Sequence, residues 1–168
     1  MSVQPIAGVS SRAESVVMTE YPSIGAWMLG RALGSLYNCI PIRVFGLTVS
    51  HLIFVLPTAP FAVALYFLQK VFGQYFVLTN RSVQIWTVRS GRREAAVDLS
   101  KIAAAEVVQV AGQEFFKAGD IVLRSATGEI LERLHGIPDA PSFCNAIRRT
   151  VEARRMVLSS MATIDARG

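Results

Sequence analysis

Between Val44 and Gln69 the chain runs for 26 residues without one Asp, Glu, Lys or Arg, and nothing else in it restricts the fold as strongly. As a single helix this stretch is about 39 Å long, against a bilayer hydrocarbon thickness of about 30 Å, so it predicts a membrane-spanning helix over 44–69. Arg43 and Lys70 bracket the run, and Tyr66 lies near its second end, where amphipathic aromatic side chains favour the headgroup level. Pro57 and Pro60 each remove a backbone donor and crowd the preceding turn, which predicts a kink. A full reversal there leaves arms of about 13 and 10 residues, each too short to cross. His51, inside the run, reads as a neutral imidazole bonded to a neighbouring helix rather than as a proton relay. Met1–Glu20 is polar and precedes the run by some distance, so a cleavable signal peptide is not indicated.

The solvent changes near Lys70. Residues 70–168 carry 14 Lys or Arg and 10 Asp or Glu, most of the net charge of +5. Such a modest basic excess fits a cytoplasmic region beside a membrane better than a nucleic-acid surface. Cys39 and Cys144 are too isolated for a disulfide framework or a metal-binding pair and read as reduced, buried thiols.

Residues 1–20 mix Ser, Gly, Pro and small apolar residues and predict a flexible tail. Tyr21-Pro22-Ser23 marks a boundary, with Ser23 able to cap a helix beginning at Ile24. From 24 to 40, Leu29, Leu33, Leu36 and Ile40 share one helical face while Arg31, Ser35 and Asn38 share another. Arg31 at the bilayer centre costs about 2.5 to 3.5 kcal/mol, so this helix either lies at the interface or spans. Gly30 and Gly34 form a GxxxG pair suited to close packing of a neighbouring helix.

Beyond Gly73 the period falls to two. Residues 74–79 and 82–88 read as a hairpin about Asn80-Arg81, followed by strands at 94–99, 102–110, 121–124 and 130–134. The single acids on or beside these strands, Asp98, Glu106, Glu114, Asp120, Glu129 and Glu132, read as solvent-facing. Asp139 is a candidate N-cap for a final helix whose apolar stripe runs through Phe143, Ile147, Val151 and Leu158 to about Ser159, with residues 160–168 as a second tail.

Tyr75-Phe76-Val77-Leu78-Thr79-Asn80-Arg81-Ser82-Val83, Asp98-Leu99-Ser100-Lys101-Ile102 and His135-Gly136-Ile137-Pro138 resemble the opening hairpin, a middle step and the final link of the bacterial pleckstrin-homology-like domains carried by small membrane proteins. Tyr21-Pro22-Ser23 is similar to the short motif that precedes the membrane helices of that family. The resemblance implies an α+β chain: a membrane region over 21–72, then over 73–159 a β-barrel of six to seven strands capped by a C-terminal helix. It implies arrangement rather than a reaction.

The chain carries no HExxH, paired CxxC, GxSxG or Gly-rich phosphate loop, so the reading is of a non-enzyme without cofactor, metal or small-molecule substrate. Gly91-Arg92-Arg93 is the one compact basic cluster and, with Arg89, a candidate surface for lipid or a partner. His135 reads as a backbone-bonded turn residue. The expected function is a non-catalytic binding module, integral to the inner membrane, with its C-terminal domain cytoplasmic and a protein partner or a second copy as ligand. The alternative is an accessory subunit of a membrane complex working through its helices.

Overall fold

The structure, a computed structural model, describes residues 14–40, 43–44, 47–49 and 51–165. Strands β1 (Val16–Glu20), β4 (Gln74–Thr79), β5 (Ser82–Thr87) and β6 (Arg93–Asp98) form one antiparallel sheet in that order. A second antiparallel sheet contains β7 (Ala104–Val108), β8 (Ala118–Arg124) and β9 (Ile130–Pro138). Between β1 and β4 lie a 3-10 turn (Ile24–Ala26), helix α1 (Met28–Tyr37), a two-residue ladder of β2 (Arg43–Val44) with β3 (Leu47–Thr48), a π-helical turn (His51–Val55) and helix α2 (Leu56–Phe72). Helix α3 (Ala140–Asp165) closes the chain.

All six strands read from the alternation are present. The expected closed barrel is not: its strands are divided between two sheets, because the chain leaves β6 through a 3-10 turn at Leu99–Lys101 and begins the second sheet at β7. Leu99 and Ile102 flank that turn, both buried, and fill the space between the sheets with Phe76, Leu78, Ile121 and Leu134. α3 covers the open side with Phe143, Ile147 and Val151.

Three expectations about the first half change. The tail predicted through residue 20 contains β1, whose Met18 and Glu20 stand opposite Leu78 and Phe76 of β4; residues 1–13 lie outside the described residues. Glu14 anchors the strand's start, its carboxylate accepting from Thr79 Oγ1, Ser82 Oγ and Gln84 Nε2, each at 2.8 Å. The helix predicted over 44–69 begins only at the π-helical turn and continues to Phe72. Pro57 follows the π-helical turn directly, Pro60 lies inside α2, and Thr58 Oγ1 donates to the Phe54 carbonyl at 2.6 Å. The side chain of His51 lies outside the described residues. The helix predicted over 24–40 is divided into the 3-10 turn, which Ser23 Oγ caps by accepting from Gly25 N at 3.2 Å, and the shorter α1.

Gly30 and Gly34 pack against the chain itself rather than against a foreign helix. A Cβ at Gly34 would stand 2.0 Å from the Gly112 carbonyl oxygen, and one at Gly112, whose φ is +86°, would stand 2.0 Å from that of Arg31. α1 is thereby seated on the loop between β7 and β8. At the other end, α3 outlasts its predicted stop near Ser159, and Leu158 lies beyond the core and partly exposed.

Phe143 has no solvent exposure, so Phe143→Ala in the full chain is expected to cost about 3 to 5 kcal/mol. Denaturant titration measures it, and an unchanged midpoint would remove α3 from the core.

Candidate functional site

Two neighbouring features converge where α2 ends: a junction that fixes the helices to the sheets, and a rim of aromatic and cationic side chains.

The junction centres on Asp120. β8 is buried on both faces, so this residue is wholly buried, contrary to its expected solvent-facing position. Its Oδ1 accepts from the backbone N–H of Gly136 at 2.9 Å and from Gln113 Nε2. Arg133 Nε donates to Oδ2 at 3.0 Å, and His135 Nδ1 lies 3.2 Å from the same oxygen. His135 therefore meets a carboxylate rather than the backbone partner expected for it. Burial pushes the Asp120 pKa up, but the bonds from Gly136, Gln113 and His135 outweigh it and hold the carboxyl below the usual aspartate range. Gln113 Nε2 also reaches the Gly25 carbonyl at 3.3 Å, and Ser23 N donates to the Gly136 carbonyl at 2.8 Å. The Tyr21-Pro22-Ser23 boundary is thus fastened to β8 and β9. Gln69 Nε2 of α2 completes the connection by donating to the carbonyls of Pro22 at 2.9 Å and Ser23 at 2.8 Å.

The rim follows from this placement. Lys70 Nζ lies 4.7 Å from the Tyr21 ring centroid and 5.7 Å from that of Tyr66. Tyr21 stacks on Tyr75 at 5.4 Å, and Tyr75 on Trp86 at 6.2 Å. On the other flank of the helix terminus the Arg89 guanidinium lies 5.3 Å from the Phe72 ring centroid. Val88 N donates to the Gly73 carbonyl at 2.9 Å, which holds the β5–β6 turn against the end of α2.

Of the three predicted basic residues, all exposed, Arg89 joins the rim and Arg92 occupies the turn beside it. Arg93 begins β6 opposite Trp86, and its charge acts on Glu14. Hydrogen bonds from Ser82 and then Thr79 do most to lower the Glu14 pKa. Sequence reading missed Lys70 with Tyr21 and Tyr75 as one array, because their approach depends on the junction. Above the rim α2 is apolar: Ile53–Phe72 is long and apolar enough to cross a membrane, and little of it is buried.

A cleft of about 350 Å3 lies between β7 and α3, where Arg148 Nε donates to the Ala105 carbonyl at 3.0 Å and Arg155 to that of Ile102 at 3.1 Å. These two arginines cover backbone acceptors of the edge strand β7 and of the turn that leads into it. Among the described residues no group of three or more His, Cys, Asp or Glu is placed to hold a metal ion.

The family model for the bacterial PH domain matches residues 28–153, three quarters of the chain, from α1 through β9 and into α3, with β1 before the matched range. No curated protein matches the chain closely enough to count as a relative.

Since the folded Asp120 pKa is depressed, its contribution to stability is present above the ordinary aspartate value of about 3.9 and is lost as pH falls through the lower folded value. Glu14 has the same sign. Asp120→Ala is expected to destabilise the chain at neutral pH by about 1 to 3 kcal/mol for each buried donor it orphans, the Gly136 N–H and Gln113 Nε2, and to flatten the acid side of the stability profile. Thermal unfolding from pH 7 to pH 2 measures both, and a variant with the parent's profile would show that the carboxylate bears no load.

Proposed function

The chain belongs to the bacterial PH domain family, and from that premise we propose that it is a non-catalytic, membrane-anchored binding module presenting its two-sheet domain to a protein partner at the cytoplasmic face of the inner membrane. One observation carries the reading: an exposed apolar helix ends in a rim of Tyr21, Tyr66, Trp86, Lys70 and Arg89 directly beside the sheets. Amphipathic aromatic and cationic side chains favour the headgroup level, and a basic margin favours the cytoplasmic leaflet. The domain is then held at the bilayer surface by its anchor, and the basic turn adds an electrostatic preference for anionic lipid.

The alternative, a subunit acting through its helices, would find its signature of close helix packing in Gly30 and Gly34. Both glycines are occupied within the chain, against Ile24 and Gly112.

Arg89 and Arg92 each contribute on the order of 1 kcal/mol near an anionic surface, about fivefold in partitioning. Co-flotation of the full-length protein with vesicles is therefore expected to show binding to neutral lipid and a modest increase with anionic lipid. That increase disappears in 0.5 M salt, where the Debye length is about 4 Å, and in the Arg89→Ala, Arg92→Ala variant. Absence of the protein from floated neutral vesicles would refute the anchor. Headgroup-selective binding that survives high salt would replace this account with a formed lipid pocket.

A further inference from the structure

We infer that the outer edge of β7, with the side of α3 that faces it, is where the domain takes its protein partner, an extended acidic segment that adds to the sheet as a further strand. This rests on the binding-module reading and names its surface.

The edge comes first. Among the described residues β7 is the end strand of its sheet, hydrogen-bonded to β8 alone. In an antiparallel strand alternate residues turn both backbone groups to the same side. The Ala105 carbonyl meets Arg148 and Cys144 rather than β8, so Ala105 and Val107 are the residues whose backbone faces outward. Exposed edges are commonly blunted by Pro, Lys or a bulge. β7 has none of these: Ala104-Ala105-Glu106-Val107-Val108 pairs with β8 in unbroken register, and both valines are exposed. Its single acid, Glu106, is already paired with Arg124 at 3.2 Å.

The cleft beside this edge comes second, with the buried Ile147 and Val151 of α3 as its apolar floor. Arg148 and Arg155 are seven residues apart on α3, about 10.5 Å along the helix. The carbonyls they meet, of Ala105 and Ile102, are three residues apart, about 10 Å along extended chain. The two rises match, so helix and strand run side by side in opposite directions and the cleft is open along a short strand's length. Each guanidinium here donates to a neutral carbonyl, and a carboxylate is roughly twice as strong a partner for it. An arriving acidic strand supplies both replacements: its side chains take the arginines, and its backbone N–H groups take the carbonyls they release.

Charge identifies the occupant. With Glu106 paired, Arg148, Arg155 and Lys101, which precedes Ile102, outnumber Glu152 around the cleft. A second copy of the chain is opposed by the same charges, because two β7 edges meeting about a two-fold axis set each arginine against its own equivalent. Lipid is opposed by position. The Ile102 end of the cleft follows the Asp98 end of β6, about 17 Å along that strand from Arg93 and the rim, so an anchored domain leaves it open to a partner.

Amide hydrogen exchange on the full-length protein in neutral vesicles tests this. The probes are a synthetic eight-residue peptide of alternating Glu and Val and its Lys and Val counterpart. The acidic peptide is expected to slow exchange at residues 104–108, and the basic one to leave them unchanged. In the Arg148→Glu, Arg155→Glu variant the preference is expected to invert, with affinity for the acidic peptide lowered at least about tenfold. The parent chain alone decides the first comparison if the variant fails to fold. No response to either peptide, protection at the Arg89–Arg92 turn with β7 unchanged, or a folded variant with the parent's preference would overturn the inference. So would protection of β7 that grows with protein concentration without peptide, which would mark paired copies. Each of these leaves the membrane anchor standing, since that reading fails only where the protein does not float with neutral lipid.

Discussion

A carboxylate shut away from water has to be answered by donors, and Asp120 draws its donors from separate parts of the chain: the backbone of Gly136, the side chains of Arg133 and His135 on β9, and Gln113 from the loop before β8. Since Gln113 also holds the Gly25 carbonyl and Gly136 also holds Ser23, satisfying this one acid fixes the path of the segment leading into the helices. Gly136 is well suited to the crossing, because it has φ +62° and a Cβ there would stand 2.4 Å from the Ala26 nitrogen. Leaving such a group unpaired in a low-dielectric interior is costly, so the junction's order follows from the burial of Asp120 rather than from the strength of any one bond.

From that segment the arrangement propagates outward. Pro22 and Ser23 present their carbonyls to Gln69, which sets the end of α2; the end of α2 places Lys70 over Tyr21 and Phe72 beneath Arg89. The rim is thus a consequence of the junction. Its position beside an exposed apolar helix supports the proposal of a domain held at headgroup level.

The parts of this architecture with a local signature were legible in the sequence. Alternation of apolar residues gave the six strands after Gly73, the stripe of Phe143, Ile147 and Val151 gave α3, and Gly91-Arg92-Arg93 gave the basic turn. What depended on partners distant in sequence was not legible. Val16–Glu20 lacks clear alternation and finds β4 more than fifty residues away. Gly30 and Gly34 form the same short pattern whether they face another helix or the carbonyls of Ile24 and Gly112. Asp120 did carry a signal that was passed over, since Ala118-Gly119-Asp120-Ile121-Val122-Leu123 is a strand apolar on both faces, where an acid cannot be solvent-facing. Composition alone likewise gave the length of the uncharged run but not the point within it where helix begins, which is set by the turn preceding Pro57.

The central claim is that the Asp120 junction holds the end of α2 against the sheets when the protein is in a bilayer. Val71, near the end of α2, and Ser90, in the β5–β6 turn, are both exposed and accept spin labels as Val71→Cys and Ser90→Cys in a Cys39→Ser background. A pulsed electron paramagnetic resonance measurement in lipid vesicles is predicted to give one narrow distribution at roughly 10 to 20 Å, one to two helix diameters. A broad distribution reaching about 30 Å, the thickness of the hydrocarbon core, would show the end of α2 detached from the sheets and contradict the account.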